Sequence, residues 1–311
     1  QTAKMTLAKL PGKDVEADLL ARLPQATGKT RRVLIELAAY RQLDGALSAI
    51  GRSIEDPDAG IRAAAIQAIG VLGGIQQVTD LVTLAQKTRQ PGDIEKALLA
   101  VSARSGQASV PKLQPLMQSN DPALRIVGMR AMAIVGGPDA LAAVKSALAD
   151  KEEEVQDEAV RTLSTWPNKW TQDSAAGEVL LTLAKSGKKT SHQVLGLRGY
   201  LQYLRGDRSL AGADKMAKIS DLLGLIQRPE EERLAIAVLG GVEAPGALEL
   251  LTKFAADPPV AEEAYSAIVS VAGKNVQGVS VEQRRSALQT VVEKSKNAGT
   301  RRRAEELLRK I

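Results

Sequence analysis

The sequence predicts an all-α protein: an α-solenoid, wound as a right-handed superhelix of about eight stacked helix pairs and closed by a C-terminal capping helix. Three observations predict it. The segment IRAAAIQAIGVLGG (Ile61 to Gly74) aligns without a gap on LRIVGMRAMAIVGG (Leu124 to Gly137), an offset of two units of about 31 residues. A period in this range belongs to stacked repeats, because a single unit cannot bury its apolar face alone. Hydrophobic residues make up 44% of the chain but aromatics only 2%, so the core must be built from Leu, Ala, Ile and Val, which favours closely packed helices over sheets. Finally, 311 residues lie near the upper limit for one globular core, a limit that a solenoid escapes by growing in one dimension.

Each element follows from this period. Residues 1–28 form an N-terminal cap, with DVEADLLARL (Asp14 to Leu23) as its helix. Residues 29–164 hold regular repeats and residues 165–299 irregular ones, all within a single domain spanning 1–311. The first helix of each pair is anchored on Leu34, Ile66, Leu98, Met129, Val160, Leu197, Ile236 and Tyr265, at spacings of 32, 32, 31, 31, 37, 39 and 29 residues. Small residues beside these anchors, such as Ala65, Gly128 and Gly196, let neighbouring helices approach closely.

The second helices repeat as well. PDALAAVKSALAD (Pro138 to Asp150) aligns with PGALELLTKFAAD (Pro245 to Asp257), with Leu141 on Leu248, Val144 on Leu251 and Asp150 on Asp257. The apolar positions recur at helical steps. Lys145 and Thr252 share one outward position, and Ser146 and Lys253 share the next.

Within a pair, Gly73-Gly74, Gly136-Gly137-Pro138 and Ala244-Pro245-Gly246 mark the turns, where Gly supplies a left-handed C-cap and Pro a first helical turn. Between pairs, the Asp residues of Asp56-Pro57-Asp58, Asn120-Asp121-Pro122 and Asp257-Pro258-Pro259 read as N-caps. The long spacings place surface loops at Trp166–Ser174 and Gly206–Asp214, and Gly273–Ser280 is a third enlarged connection. The ending TRRRAEELLRKI, N-capped by Thr300, is the capping helix at 300–311; it buries Ala304, Leu307, Leu308 and Ile311 and turns Arg301, Arg302 and Arg303 to solvent.

The paired segments resemble the HEAT-repeat superfamily, in particular the short bacterial units of the phycobilisome-lyase type. The resemblance rests on the two segments quoted first, and it implies that Asp58 with Arg62, and Asp121 with Arg125, form the structural ladder of that family. The C-terminal half, from AVRTLSTWPN through RPEEERLAIAVLGGVEAPGALELL to TRRRAEELLRKI, is similar to HEAT regions of exported bacterial proteins that carry 3-keto-disaccharide hydrolase domains. That similarity implies an exported context, and no catalytic activity for this chain.

The chemistry-bearing residues are sparse. With no cysteine, thiolate nucleophiles, disulfides and Cys-based metal sites are excluded. The single histidine, His192, has no second histidine to share a metal and reads as an exposed or capping residue before a helix. Glu152-Glu153-Glu154 and Glu230-Glu231-Glu232 open first helices, where acidic side chains complement the helix dipole. The glycine pairs do not continue into a phosphate-binding loop.

No cofactor and no metal are expected, and the chain is read as a non-enzyme. Trp166 and Trp170 bracket WPNKW as a candidate aromatic contact for a partner or glycan, set against the plainer reading that they plug an irregular repeat. Lys112, Gln114, Lys145, Lys185, Thr252 and Lys253 are candidate partner-binding positions on the second helices.

Net charge is +6, spread along the chain. The clusters Lys29/Arg31/Arg32, Lys185/Lys188/Lys189, Arg284-Arg285 and Arg301-Arg302-Arg303 lack interleaved aromatics, which does not favour nucleic acid. No apolar stretch is long enough for a membrane span. The chain opens at Gln1 and its first methionine is Met5, which predicts a processed or excised product. A periplasmic or secreted location follows from the exported context, although the absence of cysteine is equally compatible with the cytoplasm.

The predicted function is a protein-interaction scaffold that presents an extended concave surface, within a larger assembly or multidomain protein. Two alternatives stay open: an accessory module of carbohydrate-active chemistry, and a nucleic-acid-binding HEAT-like protein.

Overall fold

The computed structural model describes residues 12–88, 92–274 and 278–311. The expectations that rest on Gln1 and Met5, and the middle of the Gly273–Ser280 connection, lie outside these residues. The chain is all-α among the described residues. An opening helix α1 (Lys13–Arg22) is followed by pairs of first and second helices: α2 (Gly28–Tyr40) with α3 (Leu47–Gly51), α4 (Ala59–Leu72) with α5 (Ile75–Lys87), α6 (Gly92–Ser105) with α7 (Val110–Met117), and α8 (Pro122–Val135) with α9 (Gly137–Ser146). The series continues with α10 (Glu153–Lys169) and α11 (Ser174–Ser186), α12 (Thr190–Gly206) and α13 (Gly212–Ser220), α14 (Pro229–Leu239) and α15 (Gly246–Phe254), α16 (Ala261–Ala272) and α17 (Val281–Lys294), then α18 (Ala298–Leu308). Two compact units divide the chain, one ending at Thr162 and the other starting at Leu163.

Successive first helices pack on one another, as in α2 on α4 and α4 on α6, and again in α12 on α14 and α14 on α16. Second helices pack on the first helix that follows them, as in α7 on α8 and α11 on α12. The anchor positions line this core: Ile66, Leu98, Met129, Val160, Leu197, Ile236 and Tyr265 are all buried. In α2 the register is one residue later, with Ile35 fully enclosed and Leu34 only half-buried. The small residues have a measurable purpose. A Cβ on Gly128 would stand 2.9 Å from Leu116 Cβ, and one on Gly196 only 2.6 Å from the backbone nitrogen of Ala184.

Several local expectations need correction. WPNKW is not a surface loop: α10 runs through Pro167 to Lys169, and only a short link separates it from α11. Burial of Leu163 and Trp166 on one face of α10 holds the last turn helical despite the proline. His192 is the third residue of α12 and is buried in its seam with α11, not exposed. Gly73 ends α4 in an extended conformation rather than a left-handed one; a Cβ there would meet Ile69 O at 2.6 Å, so close approach is what requires glycine. Gly136 and Gly137 do take positive φ, 72° and 81°. The cap of α18 is Asn297, whose side chain accepts from Thr300 N, so Thr300 lies inside the helix.

The junctions between pairs share one device. Asp58 and Asp121 N-cap α4 and α8, accepting from Gly60 N at 2.7 Å and Ala123 N at 2.9 Å. At five of the junctions, into α4, α8, α10, α12 and α18, the fourth residue of the helix then reaches back to the carbonyl six residues earlier. Arg62 Nη1 donates to Asp56 O at 2.7 Å and Arg125 Nη1 to Ser119 O at 2.7 Å. Gln156 donates to Asp150 O, Gln193 to Gly187 O at 3.0 Å, and Arg301 to Ser295 O at 2.7 Å. Such junction carbonyls have no partner within a helix, and a side-chain donor satisfies them. The ladder implied by the family resemblance therefore takes a different form: neither Arg62 nor Arg125 pairs with the capping Asp of its own helix. Arg125 also holds Asp150 through two bonds of 2.8 Å, while Arg62 contacts carbonyls only.

Candidate partner-binding surface

Apolar steps of three and four residues turn one face of each second helix inward and leave its polar positions outside. On α9, Leu141 and Val144 are buried while Lys145 and Ser146 are exposed; on α15, Leu248 and Leu251 are buried while Thr252 and Lys253 are exposed. The predicted outward positions of the two helices thus correspond.

In each unit a groove runs along this face. In the first, a groove of about 240 Å³ is lined by Gln114, Met117, Gln118 and Ser146, with Arg125 and Asp150 among its walls. In the second, a groove of about 640 Å³ lies between α15 and α17, lined by Leu248, Glu249, Thr252, Lys253, Gln283 and Ser286 among others. Ser146 and Lys253, which share one repeat position, both line their groove.

The groove linings mix polar and apolar side chains, with Leu248, Val279 and Ala287 beside Glu249, Lys253 and Gln283 in the second. Thr252 Oγ1 donates to Leu248 O at 2.8 Å, and Lys253 pairs loosely with Glu249 at 3.2 Å on the exposed helix face. Glu282, in the first turn of α17, is held below its ordinary carboxyl value by the backbone N–H at that helix start and by Ser280. Burial raises the Asp150 carboxyl, but the bonds from Arg125 and from Glu152 N outweigh it and leave Asp150 below the usual range. Lys112 does not point free: its Nζ donates to Thr79 Oγ1 on α5 at 2.9 Å, tying neighbouring second helices together.

The remaining candidates do not join these grooves. Lys145 and Lys185 are exposed on α9 and α11. Trp166 is buried, with Nε1 donating to Asp173 at 3.0 Å, so its ring fills the irregular repeat. Trp170 is half-buried with the Lys169 ammonium 5.0 Å from its ring centre. The two rings do not form an exposed pair. Gln283, Ser286 and Thr290 on α17 were not among the expected positions; their i, i+3, i+7 spacing on the polar face of that helix is the signal that marks them. Several basic clusters are occupied internally: Arg31 contacts Ser53 at 3.1 Å, Arg284 donates to Ala272 O at 2.8 Å, and Arg301 closes the last junction.

No helix among the described residues is long and apolar enough to cross a membrane, and no cluster of three or more metal-ligating side chains occurs among them.

Packed, adjacent helix pairs with a shared junction device define an all-α, HEAT-like α-solenoid. Residues 94–164, from α6 into α10, match a family described as HEAT repeats. Among solved structures, the chain is similar to one described as the complex of CpcE and CpcF of phycocyanin lyase from Nostoc sp. PCC7120, at 19% identity over 68% of this chain and 82% of that one, with a TM-score of 0.31. It is also similar to a homology model of the full-length AP-3 complex in an intermediate open conformation, at 13% identity over 99% of this chain and 80% of that one, with a TM-score of 0.41. Among curated proteins no match is found.

Proposed function

We propose that this protein is a non-catalytic scaffold whose second-helix faces bind a protein partner, and that it works in an exported bacterial setting. The observation that carries the reading is the repetition of one polar position, Ser146 and Lys253, on the wall of a groove in each unit. A solenoid generates binding surface by repeating outward positions on a rigid apolar stack. The groove residues combine polar and charged side chains with apolar ones such as Met117, Leu248 and Val279, on helices whose inner faces are buried, a pattern suited to a partner segment of mixed polarity.

A photo-reactive amino acid placed at Thr252 or Lys253 tests this in the native source, with the same label at exposed Tyr40 as a control. The expected result is one crosslinked protein from the groove positions and none from Tyr40. Equal labelling from both sites, or none from the groove, would overturn the reading.

A further inference from the structure

The net charge of +6 is not spread evenly: residues 278–311 alone carry nine Lys and Arg against four Asp and Glu, a surplus of five. That stretch contains α17 and α18, and α18 packs on α16 as a further first helix. Between α16 and α18 lies a groove of about 790 Å³, larger than either groove on the second helices. Val269 of α16, buried, and Leu307 of α18, half-buried, give it an apolar strip. Ser266 and Ser270 of α16 and Thr300 of α18 bring hydroxyls to its walls. Arg303 and Lys310 line it from the α18 side, and both are exposed.

Other charged groups of these helices are committed. Arg284 donates to Ala272 O at 2.8 Å and Arg301 to Ser295 O at 2.7 Å. Lys274, at the end of the α16 wall, pairs with Glu243 at 3.1 Å. The carboxylates at the start of α16 are engaged as well. Glu262 accepts from Lys296 N at 2.6 Å and from Ser295 Oγ at 2.8 Å, and Glu263 accepts from Arg233 Nε at 2.9 Å. Arg303 and Lys310 differ: among the described residues neither side chain makes an ion pair or a hydrogen bond, and Glu306, one turn from each, bridges to neither.

We infer that this groove docks an acidic segment of a partner protein, held as an extended chain. Arg303, Leu307 and Lys310 follow one another along the α18 wall at steps of four and three residues, about 6 and 4.5 Å along the helix. In an extended chain, alternate side chains share a face and stand about 6.6 Å apart. A segment with two carboxylates four residues apart and an apolar side chain midway therefore matches the cation–leucine–cation row, and the long cationic stems take up the small difference. The groove hydroxyls can each donate to and accept from its peptide groups. The occupant is another molecule, because residues 1–11, 89–91 and 275–277, outside the described ones, contain no Asp or Glu. A second copy is disfavoured: in the acidic run 150–158, Asp150 is held by Arg125, and Glu158 by Arg130 and Arg161. Nucleic acid is disfavoured too, since no aromatic ring lines the groove for a base to stack on. The site is separate from the second-helix grooves, so neither reading depends on the other.

The test is fluorescence anisotropy of a blocked, labelled peptide, Gly-Ser-Glu-Ser-Val-Ser-Glu-Ser-Gly, titrated with the full chain at physiological ionic strength, where distant charges are screened. Saturable binding is expected, and weaker binding when both Glu of the peptide are Gln or its Val is Ser. An exposed ion pair contributes up to about fivefold in affinity, so Arg303→Gln combined with Lys310→Gln should weaken binding about tenfold. Arg302→Gln combined with Arg309→Gln removes the same charge from outside the groove lining and should weaken it less than about twofold. Ser266→Trp fills the groove without changing charge and should abolish binding. All five positions are exposed, and circular dichroism checks that each variant keeps its helices; the two double variants decide the matter even where Ser266→Trp folds poorly. Equal loss in the two double variants, unchanged binding in a folded Ser266→Trp, or no saturable binding would overturn the inference. So would a mixed-sequence DNA duplex that binds more tightly than the peptide through the same residues, or a dimer of the chain in sedimentation that the first double variant dissolves.

Discussion

The grip of Arg125 on Asp150 makes a quantitative prediction. Arg125 is only 6% exposed and Asp150 is partly buried, so the pair is shielded from bulk solvent on the wall of its groove. Replacing Arg125 by Met keeps the aliphatic stem but removes both bonds to Asp150 and the bond to Ser119 O. Leaving a buried carboxylate unpaired typically costs about 3–5 kcal/mol. Asp150 retains the bond from Glu152 N at 2.9 Å and some access to water, which places the expected loss at the lower end, about 3 kcal/mol. Asp150→Asn and the double variant complete a cycle whose coupling should be about 2 kcal/mol. The assay is urea unfolding followed by circular dichroism, with hydrogen exchange on α8 and α9 to assign the loss to this unit. A pH series adds a sign. Asp150 lies below its ordinary value when folded, so its contribution is intact above the usual carboxylate range and lost as pH falls through it. A coupling below about 0.5 kcal/mol would mean that the pair behaves as an exposed ion pair, and the reasoning would fail.

Two further outcomes are expected. Gly196→Ala puts a methyl 2.6 Å from the Ala184 backbone nitrogen and from Leu183 Cβ, contacts that backbone cannot readily yield; a loss of about 2–3 kcal/mol or more in urea unfolding is expected, and a loss below about 0.5 would show that the α11–α12 seam can open to admit it. Asp207 is buried and accepts from Tyr203 Oη at 2.6 Å and from Ser209 Oγ at 2.6 Å and its backbone N at 2.7 Å; despite the opposing effect of burial, these bonds hold its carboxyl at about 2. Asp207→Asn should therefore remove about 2 kcal/mol of stability at neutral pH and flatten the acid limb of stability between pH 4 and 2, where the wild type loses that contribution; an unchanged acid limb would refute the assignment.

The apolar skeleton was readable from sequence because it repeats with the fold. Ile66 and Met129 recur two units apart since each must fill the same space between helices, and Gly128 and Gly196 are small because a neighbouring helix occupies the place of their Cβ. Where a residue's environment is set by tertiary packing rather than by its neighbours in sequence, the reading failed. His192 stands among Lys188, Lys189 and Ser191, whose polarity suggests solvent, yet the start of α12 at Thr190 turns its third residue into the seam. Pro167 suggests a break, yet α10 continues through it to Lys169 with Trp166 buried on its inner face. Of the groove-lining residues, Gln114, Thr252 and Lys253 are legible as outward positions because outwardness follows helical phase, whereas Gln283 and Ser286 of α17 are not, because the connection leading into that helix lies outside the regular period.

The junctions explain why polar positions are harder to read than apolar ones in a repeat. An apolar site accepts only side chains of one size, so its occupants look alike in every unit. A junction carbonyl asks only for a donor, and Arg62, Arg125, Gln156, Gln193 and Arg301 all supply one from the same helical position. That tolerance hides the repeat in the sequence, and it also makes an exception informative. A carboxylate cannot donate, so Glu232 at this position of α14, like Glu95 at this position of α6, is outside the set. Glu232→Gln, which restores a donor of the kind found at Gln156 and Gln193, is accordingly expected to be at least as stable as the wild type at pH 8.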